Sequence, residues 1–209
     1  PRSKQSFPDD ARHRLREGGR LRSEQFFLVA CLVFFLLSRL AWIALTPTQP
    51  VSDFAVYEGL ARKIAAAVPL DELYAEAYPM QLYSLGYPGI LAIFYNLTGS
   101  GLSSTSEALG NVLLAKWVNL LFGLASLALV YAITRQLSTP RAARLAAVLF
   151  VLWPAQLAFS SVLASEHLAT LLALAGLAAA YPALKSDRIP APAAGARLIA
   201  AGVCFALGA

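Results

Sequence analysis

Charge is scarce in this chain: Asp, Glu, Lys and Arg make up 14% of its 209 residues, whereas 58% are hydrophobic. With a mean hydropathy of +0.60, this composition excludes an ordinary soluble globular domain, which does not carry several apolar runs of about twenty residues. Cysteine is nearly absent. Cys31 and Cys204 both lie inside apolar runs, so neither a disulfide nor a thiolate metal site is indicated. A nucleophile elbow, a phosphate-cradling glycine loop, a zinc motif and a dinucleotide fingerprint are all missing, which disfavours nucleotide hydrolysis and soluble nucleotide-sugar chemistry.

What charge there is has a pattern. The net charge is +5, and Arg2, Lys4, Arg12, Arg14, Arg16, Arg20 and Arg22 all precede the first apolar run. A basic cluster beside a span marks a cytoplasmic flank that can touch anionic lipid. This distribution points to membrane lipids rather than nucleic acid. Residues 1–25 are therefore expected as a basic cytoplasmic tail, and residues 26–45 as a first span running outward. Within that span only Arg39 is charged, close enough to its outer end to snorkel or to pair with a carboxylate of the following loop.

Residues 46–106 make an outer loop too long for a simple connector. TPTQP stops the first helix, and DFAVYEGLARKIAAAV then sets Phe54, Tyr57, Leu60, Ala61, Ile64 and Val68 on one face. That pattern predicts a helix lying in the interface plane, with Glu58 and Arg62 as an i,i+4 pair. GYPGILAIFYNLTG, about fifteen residues with Pro88 inside, is too short to span comfortably and predicts another interfacial or re-entrant helix; were it to cross, every later side assignment would invert. Further spans are expected at 108–134, at 142–163 with a kink at Trp153-Pro154, at 168–184, and from 197–209 onward. Arg135, Arg141 and Arg144, then Lys185 and Arg188, mark the returns to the cytoplasm. The chain opens without methionine and stops at Ala209 in an apolar run, so a piece of a longer protein is expected.

Asp53 and Glu166 are the two carboxylates this topology places at the outer surface near span ends. Either can act as general base toward a hydroxyl acceptor, and a low local dielectric would raise its pKa toward the working range. Either can also ligate a divalent cation. The plainer alternatives are a helix cap for Asp53, with Ser52, and a solvated turn acid for Glu166. In the second span Asn111, Lys116, Asn119 and Gly123 form a polar stripe, and a cation there would suit a lipid-linked phosphate; Lys116 also fits a snorkelling residue. His167 has no second ligand at metal spacing and reads as structural. Glu58, Asp71 and Glu72 read as helix-surface acids. No cofactor is required, and a divalent metal is possible without being indicated.

The ordered stretches PVSDFAVYEGLARKI, YSLGYPGILAIFYNLTG, NVLLAKWVNLLFGLASLALVYAITRQL and ARLAAVLFVLWPAQLAFSSVLASEHL, with the span before them and the apolar run after them, resemble the C-type (GT-C) superfamily of polytopic glycosyltransferases. Protein O-mannosyltransferases and the lipid A aminoarabinose transferase belong to it. The resemblance implies an all-α polytopic membrane protein, a helical bundle whose large first outer loop carries interfacial helices. It implies a polyprenyl-phosphate-linked sugar donor and a lipid, glycan or protein acceptor in a bacterial plasma membrane. Asp53 would be the base or acceptor-orienting acid, Glu166 the hairpin acid and Lys116 the basic residue early in the second span. Tyr57, Glu58 and His167, neighbours of those acids, join Lys116 as substrate-binding candidates. The family's frequent pair of adjacent acids is reduced here to Asp53, and the DxD metal motif is absent. A transporter or flippase subunit and a non-catalytic cell-envelope scaffold are the competing classes.

Overall fold

The computed structural model describes residues 9–47, 53–75, 85–99, 108–185 and 190–208, and every regular element among them is helical. The first helix, α1, runs unbroken from Asp9 to Leu45. The basic segment expected as a tail is thus helical from Asp9 onward and continuous with the span, whose apolar part is Arg22–Leu45. No glycine pair or proline interrupts the register there strongly enough to stop a helix that tertiary contacts hold farther along.

Among the described residues three helices are long and apolar enough to cross a membrane: Arg22–Leu45 of α1, Val112–Leu137 of α5 (Ala108–Leu137), and α8 (Glu166–Lys185). A fourth crossing is available if the bent pair α6 (Pro140–Leu152) and α7 (Pro154–Ala158) counts as one span. These helices overlap the apolar runs 26–45, 108–134, 142–163 and 168–184. Half of the α5 window is buried, against 11% for α1, so α5 is the helix the others pack around. α6 starts cleanly because Thr139 accepts the Ala142 N–H at 3.2 Å and Pro140 sits where its missing N–H costs nothing.

The expected kink at Trp153-Pro154 is a full break. Pro154 offers no N–H to the preceding turn, Trp153 turns extended at φ −65°, ψ 115°, and the two halves diverge by 51°. A 3-10 turn, Phe159–Ser161, then leads to α8. The last helix, α9 (Ala191–Gly208), begins earlier than the expected 197 and packs along α8. Gly176 makes that approach possible: a Cβ there would lie 2.9 Å from the Phe205 ring.

Between α1 and α5 lie α2 (Asp53–Ala65), α3 (Leu70–Ala75) and α4 (Gly86–Thr98). α4 has 13 residues, about 20 Å of rise, well short of a bilayer's hydrocarbon core. Gly99 closes it in the left-handed conformation at φ 71°. α2 packs against α4, so its apolar face is covered by protein rather than lying bare in an interface. Phe54, Tyr57 and Ala65 join a core of Tyr87, Leu91, Tyr95, Val112 and Leu163, while Val56, Ile64 and Val68 close over Leu60 and Leu73.

Candidate functional site

Polar contacts between distant segments identify two ends of the bundle. At one, Lys116 Nζ donates to the Thr46 carbonyl at 3.3 Å, Trp42 Nε1 donates to Ser161 Oγ at 3.1 Å, and Asn119 Nδ2 donates to the Val162 carbonyl at 2.7 Å. At the other, Tyr131 donates to Glu24 at 3.1 Å. The sequence-derived candidates gather at the first, the Thr46 end.

Asp53 is the first residue of α2 and exposed, and Glu166 is the first residue of α8 and exposed. Both sit where a helix dipole favours an anion. Ser52, the suggested capping partner, lies outside the described residues. The two helix starts are joined by Tyr57, one turn after Asp53, whose hydroxyl meets Ser165 Oγ at 3.3 Å. Its ring meets the buried Tyr87 ring edge-on, centroids 5.6 Å apart. Burial pushes the Tyr87 hydroxyl far above its ordinary pKa, opposed by Asn119 and reinforced by the charges of Tyr95 and Glu166. Burial raises Tyr95 in the same way. Tyr57, Tyr87, Ser165 and Glu166 thus share one neighbourhood at the junction of α2, α4 and α8.

Lys116 is 6% exposed, and its stripe faces protein. Asn119 is fully buried, and a Cβ at Gly123 would lie 2.9 Å from the Phe35 ring and 3.8 Å from His167. Asn111's side chain lies outside those described. Lys116 uses one of its three donors on the end of α1. Glu58 is taken up by Arg62, accepting from Nη2 at 2.6 Å and Nε at 3.1 Å, the pair its spacing predicts. His167 points into the bundle, although its neighbour Glu166 points out, as successive helical residues do. It is 2% exposed, with Nε2 3.5 Å from Ser160 Oγ.

Arg39 neither snorkels nor meets a described carboxylate. It is 1% exposed, donates to the Val151 carbonyl at 2.6 Å, and lies over the Phe35 ring at 4.2 Å. The break at Pro154 explains this: it strips the last carbonyls of α6 of helical partners, and Arg39 supplies one. Tyr87, Ser165 and the destination of Arg39 escape sequence reasoning. The only local signal for Arg39 is its charge inside a span.

Among the described residues no group of three or more His, Cys, Asp and Glu is placed to hold a metal ion. No family model, no curated protein and no solved structure matches this chain.

Proposed function

We propose that this protein is a membrane glycosyltransferase that moves a sugar from a polyprenyl-phosphate-linked donor to a hydroxyl acceptor at the Thr46 end of the bundle. Asp53 takes the proton of the acceptor hydroxyl, the oxygen attacks the anomeric carbon, and the bond from that carbon to the phosphate oxygen breaks. Polyprenyl phosphate departs and the anomeric configuration inverts. Glu166 and Tyr57 orient the acceptor, which is a lipid, a glycan or a protein. Lys116, with two donors left beyond its Thr46 bond, draws the donor phosphate. Glu58 and His167 support the site from Arg62 and Ser160. In this reading the basic N-terminal segment is cytoplasmic, the Thr46 end faces outward, and the membrane is a bacterial plasma membrane.

The observation that carries the reading is the Tyr57–Ser165 contact. It joins two helices that each begin with an exposed carboxylate, at one end of an apolar bundle. In membranes supplied with a panel of polyprenyl-phosphate sugars, Asp53→Asn is expected to abolish transfer while expression and unfolding stay unchanged. Near-wild-type transfer by that variant overturns the role of Asp53. A carrier function is the second reading, favoured by the break at Trp153-Pro154 with buried polar groups around it. Flux of a lipid-linked sugar across reconstituted vesicles without any transferred product would select it.

A further inference from the structure

Five N–H groups radiate from the guanidinium of Arg39, and they divide unevenly. Nη1 spends both its hydrogens, one on the Val151 carbonyl at 2.6 Å and one on Ser38 Oγ at 3.0 Å. Ser38 is held for this by its own bond to the Phe35 carbonyl, at 3.0 Å. Nε and Nη2 are buried and meet no acceptor among the described residues. Those two nitrogens share one edge of the planar group, the edge that pairs side-on with two oxygens of a carboxylate or phosphate. Phe35 beneath the plane and Val151 at the far nitrogen fix the direction in which that edge points.

No described carboxylate pairs with Arg39, and Glu58 is taken up by Arg62. A permanently charged group enclosed in a helical bundle without an anion is strongly disfavoured. The partial negative end of α6 at Val151 offsets some of that, but on the opposite side of the guanidinium. Nearby, His167 is within electrostatic reach of Arg39, and its Nδ1 is likewise buried without a partner. Ser160 already donates to the Gln156 carbonyl, so His167 Nε2–H points at Ser160 and Nδ1 is left as an acceptor.

We infer that the Nε–Nη2 edge of Arg39 is an oxyanion-binding site inside the bundle, taking one phosphate group by a side-on bidentate contact. The inference does not rest on glycosyl transfer and holds equally for a carrier. The phosphate comes either from a lipid headgroup or from a free ion, and the chemistry of recognition is the same.

Titrating the full chain in neutral detergent with inorganic phosphate, at fixed ionic strength, reads the site directly by calorimetry. Wild type is expected to bind saturably. Arg39→Lys, which keeps the cation but loses the side-on edge, should bind about tenfold more weakly, and Arg39→Gln should not bind. Arg135→Gln, an exposed arginine at the other end, should bind as wild type. If either Arg39 variant fails to fold, Ser38→Ala replaces it: the guanidinium loses one of its two positioning bonds, and binding should weaken about threefold. Competition by a phosphatidic acid in the micelle assigns the source to a lipid headgroup, and its absence assigns it to the free ion. Saturable phosphate binding unchanged by Arg39 substitution, or no saturable binding of either probe by wild type, overturns the inference.

Discussion

The two ends of the bundle are built on different principles. At the Thr46 end, side chains reach across to backbone carbonyls of other segments: Lys116 to Thr46, Asn119 to Val162, and Arg39 to Val151 a little deeper. Each such bond has one partner and one geometry, and a buried donor that loses it is left in a medium that offers no water. Toward the Glu24 end α1, α5 and α6 meet, among the described residues, through apolar side chains alone apart from the Tyr131 hydroxyl, with Phe27, Leu124, Val130 and Tyr131 packed on Leu127 and Ala147. Two apolar grooves of about 280 Å³ flank α1, one lined by Leu28, Leu32, Leu124 and Leu127, the other running from Phe27 through Phe34 and Val148 up to Val151, with Cys31 at both. Lipid tails fill such grooves as well as side chains do. The lesson is that specificity is concentrated where the chemistry is proposed, and the opposite end needs only to be apolar.

The largest effect should come from Asn119. It is fully buried, its amide holds Val162, and its oxygen has no partner among the described residues. Asn119→Ala removes the bond, strands the Val162 carbonyl and leaves a void, for a loss of about 3 kcal/mol. Chemical unfolding in detergent measures it. Next is Gly123→Val, whose Cβ would enter the Phe35 ring at 2.9 Å. Arg39 lies over the face of the same ring, so a shift of Phe35 disturbs that contact as well, and about 2 kcal/mol is expected. A loss below about 0.5 kcal/mol for both would erase the distinction between the ends.

Alkali should act on the same end. Tyr87 and Tyr95 are held above the ordinary tyrosine pKa by burial. A raised folded-state pKa means that the folded protein keeps its proton while the unfolded chain releases it. Stability from these two groups is therefore intact below about pH 10 and declines above it, by up to about 1.4 kcal/mol per pH unit for each. Tyr87→Phe should flatten that decline by about half. An unfolding free energy equally steep above pH 10 in wild type and in Tyr87→Phe would mean that Tyr87 is not the titrating group.

How far the sequence reaches depends on the range of the signal. The spans are legible because hydropathy is local, and the break at Pro154 is legible because proline acts on its own turn. Glu58 with Arg62 is legible for the same reason, being one turn apart. The thirteen residues of α4 announce by length alone a helix shorter than a bilayer's hydrocarbon core. Tyr57 and Ser165 are 108 positions apart, and no local pattern on either says that they meet. Arg39 shows the same limit. Its position near a span end fits snorkelling, but its destination is a carbonyl 112 positions away, freed by a proline. Asp53 and Glu166 fall between these cases. Spacing puts Asp53 at the start of a helix, but it leaves Glu166 in a turn before a span from 168, whereas Glu166 opens α8; the tyrosine that links the two starts is not legible at all.

The smallest effects belong to the Glu24 end. Tyr131 donates to Glu24 at 3.1 Å and is half-buried. Tyr131→Phe removes that bond while keeping the ring on Leu127 and Ala147, so about 0.5 kcal/mol should be lost. Cys31→Leu adds carbon at the meeting point of the two grooves, where space is available and lipid is the competitor. It should shift stability by less than about 1 kcal/mol in either direction. Both should leave phosphate binding and glycosyl transfer unchanged: Tyr131 is on α5 and Cys31 on α1, but neither side chain takes part in the Lys116–Thr46, Asn119–Val162, Tyr57–Ser165 or Arg39–Val151 contacts. Losing either function in these variants, with unfolding unaffected, would show that the two ends are coupled through α1. The continuous 37 residues of that helix would then be a lever rather than an anchor.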